Sequence, residues 1–386
     1  MKILAFTYRS TMVGGSNRSF LTVVEGLKNR CGHHITVVLP EKGPLCSCLD
    51  EIGVPYVIYP SYMVSAIDLN SLPNVIRLAK YAASNFFDWI QGSAIAKRLK
   101  SEKYDLVYIN DNPTYVGAYV ARDLGLPYVW HLRSPRTAKA RYVPGSKALY
   151  TNAKRLIAIS ESMRKQYKTS RTMSGANFEL VYNAIPMKEC QPAIRSTENG
   201  FHIIQCGRIS KAKGQMEAVQ AICILREQYH IQDVFLHIVG NAGGKEGTKY
   251  LNKIKQYLQR HDLGEHIVLE GYREDVDELR KDMCCEVVCS ANEPFGRVTV
   301  EGMRAGLVLI GANCGGTVEL IKDGETGLLY EHGKPEDLAD KIASIYHQRD
   351  MADALALNGF SYATQHYNME ELIERIDSIF HSVIDC

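Results

Sequence analysis

The stretch EPFGRVTVEGMRAG, Glu293–Gly306, lies between two short apolar runs and predicts a helix from about Val298. The run before it, CEVVCSA, and the run after it, LVLIGA, are β-prone. A strand, a helix and a second strand in this order are typical of a parallel sheet with helices on both faces. The stretch therefore predicts an α/β unit in which two acids, Glu293 and Glu301, flank the start of a helix.

The same alternation of apolar runs and helical patterns extends outward over most of the chain. Six runs fall in the first half, KILAFTY, HITVVLP, PYVIYP, DLVYIND, PYVWHLR and RLIAIS, and the series restarts after CQPAIRSTENG with FHIIQCGR, DVFLHIVGN, HIVLEGY, CEVVCSA, LVLIGA and GLLYE. A chain of 386 residues also exceeds the usual size of one core. The fold class predicted is α/β, with two Rossmann-like doubly wound parallel sheets and a cleft between their domains.

The predicted domains are residues 1–188 and residues 189–365. The last segment, MEELIERIDSIFHSVI, has the pattern of an amphipathic helix and follows the final strand of the second series. We expect residues 366–386 to pack back onto the first domain, because no strand of their own domain remains to be covered.

Composition excludes several classes of protein. Hydrophobic residues make up 46% and charged residues 23% of the chain, which is ordinary for a globular protein. No stretch approaches the ~18 apolar residues of a spanning helix, and the N-terminal run is too short for a signal peptide. The eleven cysteines include no C-x-x-C pair, so the sequence predicts neither a disulfide framework nor a metal site. We expect a cytoplasmic protein that can bind a membrane surface without crossing it.

Charge is distributed unevenly although the net charge is only +2. Residues 1–190 carry 25 Lys and Arg against 13 Asp and Glu, whereas residues 191–386 carry 20 against 30. The segment Arg133–Arg171 holds 11 basic residues and a single acid, Glu161. A basic first half indicates an anionic partner.

Several strand-to-helix turns could hold a ligand. Gly14 and Gly15 follow the first strand, where the backbone can approach an anion at a helix N-terminus. They do not form the G-x-G-x-x-G fingerprint of dinucleotide-binding proteins, and a plain flexible turn stays an alternative. Arg208 and Lys213 surround the turn QCGRISKAKGQ, where a planar guanidinium and a mobile ammonium would suit a diphosphate; two solvated charges are the alternative.

Two further turns and one strand end complete the candidates. Gly240 in IVGNAGG, and Tyr272 and Arg273 in LEGYRED, could meet a base or ribose, or serve only as turns. His131 ends the strand YVWH, where it could bond a sugar hydroxyl or stabilise developing charge, although a structural histidine is the common alternative.

Three segments together carry a family resemblance. GR…KG at 207–214, EPFGRVTVEGMRAG at 293–306 and GANCGGTVELIKDGETGLLY at 311–330 resemble the retaining GT-B glycosyltransferases of the family 4 class, with its E-x7-E motif. The match covers the second domain, and the Gly-Gly turn and the VWHLR histidine extend it into the first. The resemblance implies an acceptor-binding first domain and a nucleotide-sugar-binding second domain, as in the bacterial surface-polysaccharide enzymes.

The resemblance also implies a role for each motif residue. Glu293 would bond hydroxyls of the donor sugar beside the amides of Phe295 and Gly296, and Glu301 would hold the ribose of the nucleotide. Further amides, together with the two cations of the QCGRISKAKGQ turn, would meet the diphosphate; the residues concerned are Val298, Thr299, Arg208 and Lys213.

The implied reaction transfers a sugar from a nucleoside diphosphate, UDP on family frequency, to an acceptor hydroxyl with retention. No covalent nucleophile, metal ion or further cofactor is predicted, because the cations can stabilise the leaving diphosphate and no D-x-D metal motif stands out. The segment Arg77–Lys100 mixes aromatic and basic residues, which suits an anionic membrane surface and a lipid-linked acceptor, or a solvated helix.

Three rival functions remain at this level. A nucleotide-sugar epimerase can share the two-domain fold, an NAD-dependent dehydrogenase lacks its glycine fingerprint here, and nucleic-acid binding lacks a reader motif.

Overall fold

The computed structural model describes residues 1–12, 14–59, 74–112, 114–135, 145–186 and 197–385, with the backbone alone at Asn74, Arg77 and Leu78. The predicted domain boundary at 188/189 and part of the basic segment 133–171 fall outside these residues. The chain divides into two compact units, Met1–Pro186 with Met369–Cys386, and Met187–Asn368.

The first unit contains a seven-stranded parallel sheet in the order β3-β2-β1-β4-β5-β6-β7. Its strands are β1 Lys2–Phe6, β2 His34–Leu39, β3 Tyr56–Ile58, β4 Leu106–Asn110, β5 Tyr128–Leu132, β6 Arg155–Ala158 and β7 Phe178–Leu180. The helices between them are α1 Gly15–Cys31, α2 Pro44–Glu51, α3 Asn74–Leu99, α4 Tyr115–Leu124, α5 Ser146–Thr151 and α6 Glu161–Lys168.

The second unit contains a six-stranded parallel sheet in the order β10-β9-β8-β11-β12-β13. Its strands are β8 Phe201–Cys206, β9 Val234–Val239, β10 Ile267–Gly271, β11 Cys285–Val288, β12 Val308–Ala312 and β13 Leu328–Tyr330. Its helices are α7 Gln215–Glu227, α8 Gly244–Arg260, α9 Val276–Leu279, α10 Arg297–Arg304, α11 Thr317–Leu320, α12 Pro335–His347 and α13 Arg349–His366.

Both sheets show the strand order of a Rossmann-like fold, in which the first strand of the unit lies beside the second and the fourth. In the first unit, Ile3 of β1 pairs with Ile35 of β2 on one side and Leu106 of β4 on the other. Central strands such as β4 and β12 are buried along their whole length, because helices cover both faces. The predicted α/β fold with two Rossmann-like sheets is confirmed.

The last helix, α14 Met369–Ile384, is part of the first unit. Its buried side chains Leu372, Ile373, Ile376 and Phe380 join the core that α1, β1 and β2 form. A Cβ atom on Gly26 of α1 would lie 2.4 Å from the Ile373 side chain, so glycine is what lets these two helices approach.

The structure also corrects some details of the sequence interpretation. The short edge strand β7 was not predicted, whereas α10 begins at Arg297, in agreement with the predicted start at about Val298. Among the described residues, no helix is long and apolar enough to cross a membrane.

Candidate functional site

The strand order of the second unit brings two loops together. The order reverses between β8 and β11, and ligands of open α/β sheets bind beyond the carboxyl ends of the strands at such a point. The loop after β8 carries Lys213 and the loop after β11 carries Glu293. The Nζ atom of Lys213 lies 2.5 Å from Oε2 of Glu293, in an ion pair between residues 80 positions apart.

The loop after β8 is held by buried amide side chains. Nε2 of Gln205 donates to the carbonyl of Lys213 at 3.0 Å, and Nε2 of Gln215 donates to the carbonyl of Arg208 at 3.2 Å. Gly214 has a φ of 67°, and a Cβ there would lie 2.1 Å from the Cys289 carbonyl oxygen. The two loops are therefore in backbone contact, which fixes Lys213 opposite Glu293.

Adjacent strands β8, β9 and β10 each end at a glycine with positive φ: Gly207, Gly240 and Gly271. A Cβ on Gly240 would lie 2.1 Å from the carbonyl oxygen of Gly207, a contact that no side chain permits. These glycines add no side chain of their own at the carboxyl edge of the sheet, so a ligand can approach the backbone there closely.

The segment Glu293–Gly296 rests on a second glycine turn. Gly316 donates its N–H to the Glu293 carbonyl at 2.7 Å, and a Cβ on Gly316 would lie 2.8 Å from the Phe295 carbonyl oxygen. A Cβ on Gly315 would lie 2.8 Å from the Glu293 nitrogen. The GG pair of the 311–330 motif therefore supports the backbone that presents Glu293.

Helix α10 begins directly after this segment. Gly296, at its N-cap, has a φ of 107° and no side chain of the described residues caps the helix. The first amides of a helix generally lack an intrahelical acceptor and can bind an anion. Here the Thr299 N–H already donates to the Gly296 carbonyl at 3.0 Å, so the amides before it are the better placed for an anion. The Thr299 side chain is fully buried and its hydroxyl lacks a partner among the described residues.

The second acid of the E-x7-E motif, Glu301, lies beside two arginines. Its Oε2 is 3.4 Å from a guanidinium nitrogen of Arg280, and its Oε1 is 3.4 Å from one of Arg297. Arg280 is itself buried and bonds Glu286, which is fully buried, through two nitrogens at 2.9 and 3.1 Å. Burial opposes the charge of Arg280, but the nearby Glu286 carboxylate holds its pKa well above the ordinary value.

The remaining candidate side chains of this unit, those of Arg208, Tyr272 and Arg273, differ in exposure and in their partners. Arg208 is exposed and its side chain lies along Gly243, whose Cβ would be 3.1 Å from Cδ of Arg208. Tyr272 is 55% exposed, so its ring is available for a ligand. Arg273 bonds the carboxylates of Glu270 and Asp275, so its charge is already matched by these two acids.

In the first unit, His131 is fully buried at the end of β5. Its Nδ1 lies 2.8 Å from the Tyr108 hydroxyl and 3.3 Å from a guanidinium nitrogen of Arg133. Its Nε2 has no hydrogen-bond partner among the described residues. Burial, assisted by the positive charge of Arg133, holds the pKa of His131 well below 6.5.

Sequence analysis missed Asp111, a buried acid at the end of β4. Asp111 is fully buried and has a φ of 68°. Its Oδ2 atom accepts hydrogen bonds from the hydroxyls of Ser16, at 2.9 Å, and Ser134, at 2.6 Å. Ser16 belongs to the first turn of α1, directly after Gly14 and Gly15. Asp111 therefore anchors the predicted Gly-Gly turn, and only its place after a strand could have indicated it.

Two Rossmann-like units with polar residues at their carboxyl edges define the GT-B class of proteins. Two family models match the chain: a glycosyl transferase 4-like domain over residues 14–184 and a glycosyl transferases group 1 domain over residues 187–362. The chain therefore combines a glycosyl transferase 4-like domain with a glycosyl transferases group 1 domain, in the two-unit architecture of the GT-B fold.

Named relatives agree with this family. The chain is 25% identical to an uncharacterized glycosyltransferase of Methanocaldococcus jannaschii, over 87% of this chain and 92% of the relative. It is 23% identical to the N-acetyl-alpha-D-glucosaminyl L-malate synthase of Bacillus anthracis, over 59% of this chain and 58% of that enzyme.

Solved structures share the fold. The Anabaena protein HepE in complex with UDP matches with a TM-score of 0.78 at 21% identity, over 99% of this chain and 100% of HepE. The Thermosynechococcus elongatus sucrose-phosphate synthase matches with a TM-score of 0.75 at 18% identity, over 100% of this chain and 99% of that protein.

Proposed function

We propose that the protein is a retaining glycosyltransferase that moves a sugar from a nucleoside diphosphate, UDP in the first instance, to an acceptor hydroxyl. The contact between Lys213 and Glu293 at the strand-order reversal carries this proposal. The Lys213 ammonium can bind a diphosphate, and the Glu293 carboxylate beside it can accept hydrogen bonds from sugar hydroxyls. The two parts of a nucleotide sugar can therefore be bound at one place. HepE, which has the same fold, binds UDP and UDP-glucose, and this supports UDP as the nucleotide.

Each residue of the second unit has a proposed role. Lys213 and Arg208 neutralise the diphosphate, together with the first amides of α10 around Val298 and Thr299. As the bond to the sugar breaks, charge grows on the diphosphate, and fixed cations stabilise it without reorganisation. Glu293 bonds hydroxyls of the sugar beside the amides of Phe295 and Gly296.

The nucleoside has its own proposed contacts. Glu301 bonds the ribose hydroxyls, and the arginines beside it fix the direction of its carboxylate. Gly240, Tyr272 and Arg273 lie at or beside the ends of β9 and β10, where a base would lie. The nucleotide sugar is a substrate, and we propose that the reaction uses no further cofactor and no metal ion.

Nucleotide binding tests the proposal directly. We expect UDP to bind the purified protein in calorimetry, and Lys213→Ala to weaken binding by about 10- to 100-fold, because a charge-assisted hydrogen bond contributes ~1.5–3 kcal/mol. Lys211→Ala is the matched control, since Lys211 is an exposed cation in the same turn. Equal affinity in the two variants would contradict the role of Lys213.

The donor role of Glu293 needs a different measurement. Glu293→Gln should retain UDP binding and lose most sugar transfer, because the carboxylate addresses the sugar and not the diphosphate. UDP release from a panel of UDP sugars and acceptors measures this, and NMR of the product shows whether the anomeric configuration is retained. Turnover in EDTA that equals turnover with added Mg²⁺ or Mn²⁺ would support a reaction without metal.

Transfer is favoured over the epimerase alternative because both matched families are transferase families. Incubation with the donor alone separates the two activities. A new nucleotide sugar formed without acceptor would contradict transfer.

We further propose that the acceptor is a carbohydrate or lipid-linked molecule and that α3 binds an anionic membrane surface on its cytoplasmic side, as in surface-polysaccharide synthesis. Six large apolar side chains of α3 are exposed by 41–78%, and four of them are clustered: Val75, Ile76, and the cluster Phe86, Phe87, Trp89 and Ile90. Exposed Lys97 and Arg98 follow on the same helix. Clustered apolar groups beside cations suit an interface with anionic lipid.

Liposome sedimentation tests the membrane proposal. Vesicles with anionic lipid should sediment the protein at low salt, and Phe87→Ser with Trp89→Ser should reduce the bound fraction several-fold. Leu357→Ser is the control, since Leu357 is an exposed apolar residue of the second unit. No sedimentation at low salt would rule out the membrane surface.

A further inference from the structure

Three metal-ligating side chains meet at the ends of two helices, outside the site described above. Cys223 and Glu227 lie four residues apart on the last turns of α7, so they project from one face of the helix. His261 is the first residue after α8. The three ligand atoms lie within 4.8 Å of one another.

The three distances form an almost regular triangle. Sγ of Cys223 lies 3.3 Å from Oε1 of Glu227 and 3.5 Å from Nδ1 of His261, and that nitrogen lies 3.7 Å from the same carboxylate oxygen. A tetrahedral zinc ion has Zn–S of ~2.3 Å and Zn–N or Zn–O of ~2.0–2.2 Å, which separates its ligand atoms by about 3.3–3.6 Å. One ion can therefore reach all three atoms with almost no movement of the helices.

We propose that Cys223, Glu227 and His261 form a site for Zn²⁺. Thiolate and imidazole ligands select zinc-like ions and disfavour Mg²⁺ and Ca²⁺, which prefer oxygen. When the ion binds, the Cys223 thiol loses its proton to solvent, and the thiolate and the Glu227 carboxylate balance the charge of the ion. The Glu227 side chain is 62% exposed and that of His261 is 30% exposed, so water can complete the tetrahedron.

Two features near the triad favour a bound cation, and they act against the positive charges of Arg226 and Arg260 in the last turns of α7 and α8. Both α7 and α8 end here, and the C-terminal end of a helix carries partial negative charge. The ring of Tyr257 stacks on that of His261 with centroids 4.1 Å apart, which holds the imidazole in its orientation. Sequence analysis predicted no metal site because the cysteines include no C-x-x-C pair, and a C-x3-E pattern with a distant histidine escapes that criterion.

The position of the triad indicates a structural role. Helix α7 begins directly after the loop that carries Lys213 and ends at the triad, so its 13 residues separate the two sites by about 20 Å. An ion at the triad would join the C-terminal ends of α7 and α8 without contact with the donor site. Its presence is therefore independent of the proposed transfer reaction.

Cobalt titration of the reduced, chelator-treated full chain tests the proposal. Co²⁺ should bind one site with a thiolate-to-cobalt charge-transfer band and the strong visible bands of tetrahedral coordination, and Zn²⁺ should displace it. Cys223→Ser should abolish the charge-transfer band, and His261→Ala should weaken Co²⁺ binding by at least about tenfold, as is typical for lost metal-site interactions. Tyr257→Leu should weaken binding but retain the band.

Cys31→Ser is the matched control, because Cys31, His33 and Asp377 form a second group with the same ligand types. In that group Nε2 of His33 lies only 2.5 Å from Oδ1 of Asp377, a hydrogen-bond distance that leaves less room for an ion. Loss of the cobalt bands in Cys31→Ser and not in Cys223→Ser would overturn the proposal, as would their absence from the wild-type chain. Thermal unfolding of each variant with and without Zn²⁺ checks that the variants fold. The gain in stability from zinc should be full in the wild type and Cys31→Ser, smaller in Tyr257→Leu and His261→Ala, and lost in Cys223→Ser.

Discussion

The Tyr108 hydroxyl and Nδ1 of His131 are 2.8 Å apart in a fully buried hydrogen bond at the carboxyl edge of the first sheet. Arg133 places a guanidinium nitrogen 3.3 Å from the same Nδ1. Arginine has only donors, so this contact favours Nδ1 as the acceptor and places the proton of the neutral ring on Nε2. Under the proposed function, His131 would therefore act as a neutral donor rather than as a general base.

The first prediction concerns this proton. Under the proposed function, Nε2–H donates to an oxygen of the substrate, and His131→Leu should lower kcat/KM by about tenfold or more, the scale of one lost hydrogen bond. Because the pKa of His131 is held well below 6.5, its titration should cause no change in wild-type activity between pH 6 and 8. Nitrogen-15 NMR of the histidine rings identifies the tautomer; a proton on Nδ1 would contradict the assignment.

The second prediction is the pH dependence of stability. The unfolded chain binds a proton at His131 near pH 6.5, whereas burial lowers the pKa in the folded state. The contribution of neutral His131 to the free energy of unfolding is therefore complete above pH 6.5. It is lost as the pH falls below 6.5, by at most about 1.4 kcal/mol per pH unit. Urea unfolding at pH 7.5 and 5.5 measures this loss. The loss should be smaller in His131→Leu; equal losses in both proteins would disagree with a depressed pKa.

Much of this fold follows from local pattern. Runs such as DLVYIND and LVLIGA are largely apolar because their strands are buried on both faces. Such continuous apolar runs can be recognised in the sequence without a structure. The turns could also be predicted from their glycines. Only glycine permits the φ values and close approaches found at Gly240 and Gly296, so the residue type itself marks these positions.

The pairs that fix the site could not be predicted in the same way. Lys213 contacts Glu293 only because the strand order brings β8 beside β11, and this order is a property of the whole sheet. Asp111 and Arg280 are buried although charge in a sequence normally indicates an exposed position. Asp111 bonds Ser16, 95 positions away, whereas Arg280 bonds Glu286 only six positions away, and nothing in that spacing marks the pair as buried.

The third prediction tests the support of Glu293 by the Gly-Gly turn. Gly316 has an ordinary φ of −76°, so Gly316→Ala adds no backbone strain, but its Cβ would lie 2.8 Å from the Phe295 carbonyl oxygen. We expect the segment that carries Glu293 to shift and transfer to fall at least tenfold, since small misplacements near the chemistry are costly. Gly264→Ala is the control, because no atom lies within 4 Å of its Cβ position and its φ is not positive. Equal activity in the two variants would show that the turn can adjust.

The fourth prediction concerns the buried pair behind α10. Arg280→Met leaves the buried carboxylate of Glu286 without its partner and should destabilise the protein by about 3–5 kcal/mol, as measured by chemical denaturation. Replacing both residues, Arg280→Met with Glu286→Leu, should recover most of this loss, because an apolar pair carries no desolvation penalty. A double variant as unstable as the single one would mean that Arg280 contributes mainly through Glu301 or Asp277, its other acidic partners.

The fifth prediction is that the last helix is essential to the core of the first unit. Ile376 of α14 is fully buried in that core, and Ile376→Ala should lower the free energy of unfolding by about 2–5 kcal/mol through lost burial and the resulting cavity. Ser378→Ala is the control, because Ser378 is exposed on the same helix and the substitution favours helix. Limited proteolysis measures the effect locally: cleavage within residues 369–384 should become faster in Ile376→Ala and remain unchanged in Ser378→Ala. If both variants resisted cleavage equally, the apolar contacts of α14 with α1 would not limit its release, and the polar link between His33 and Asp377 would become the contact to remove next.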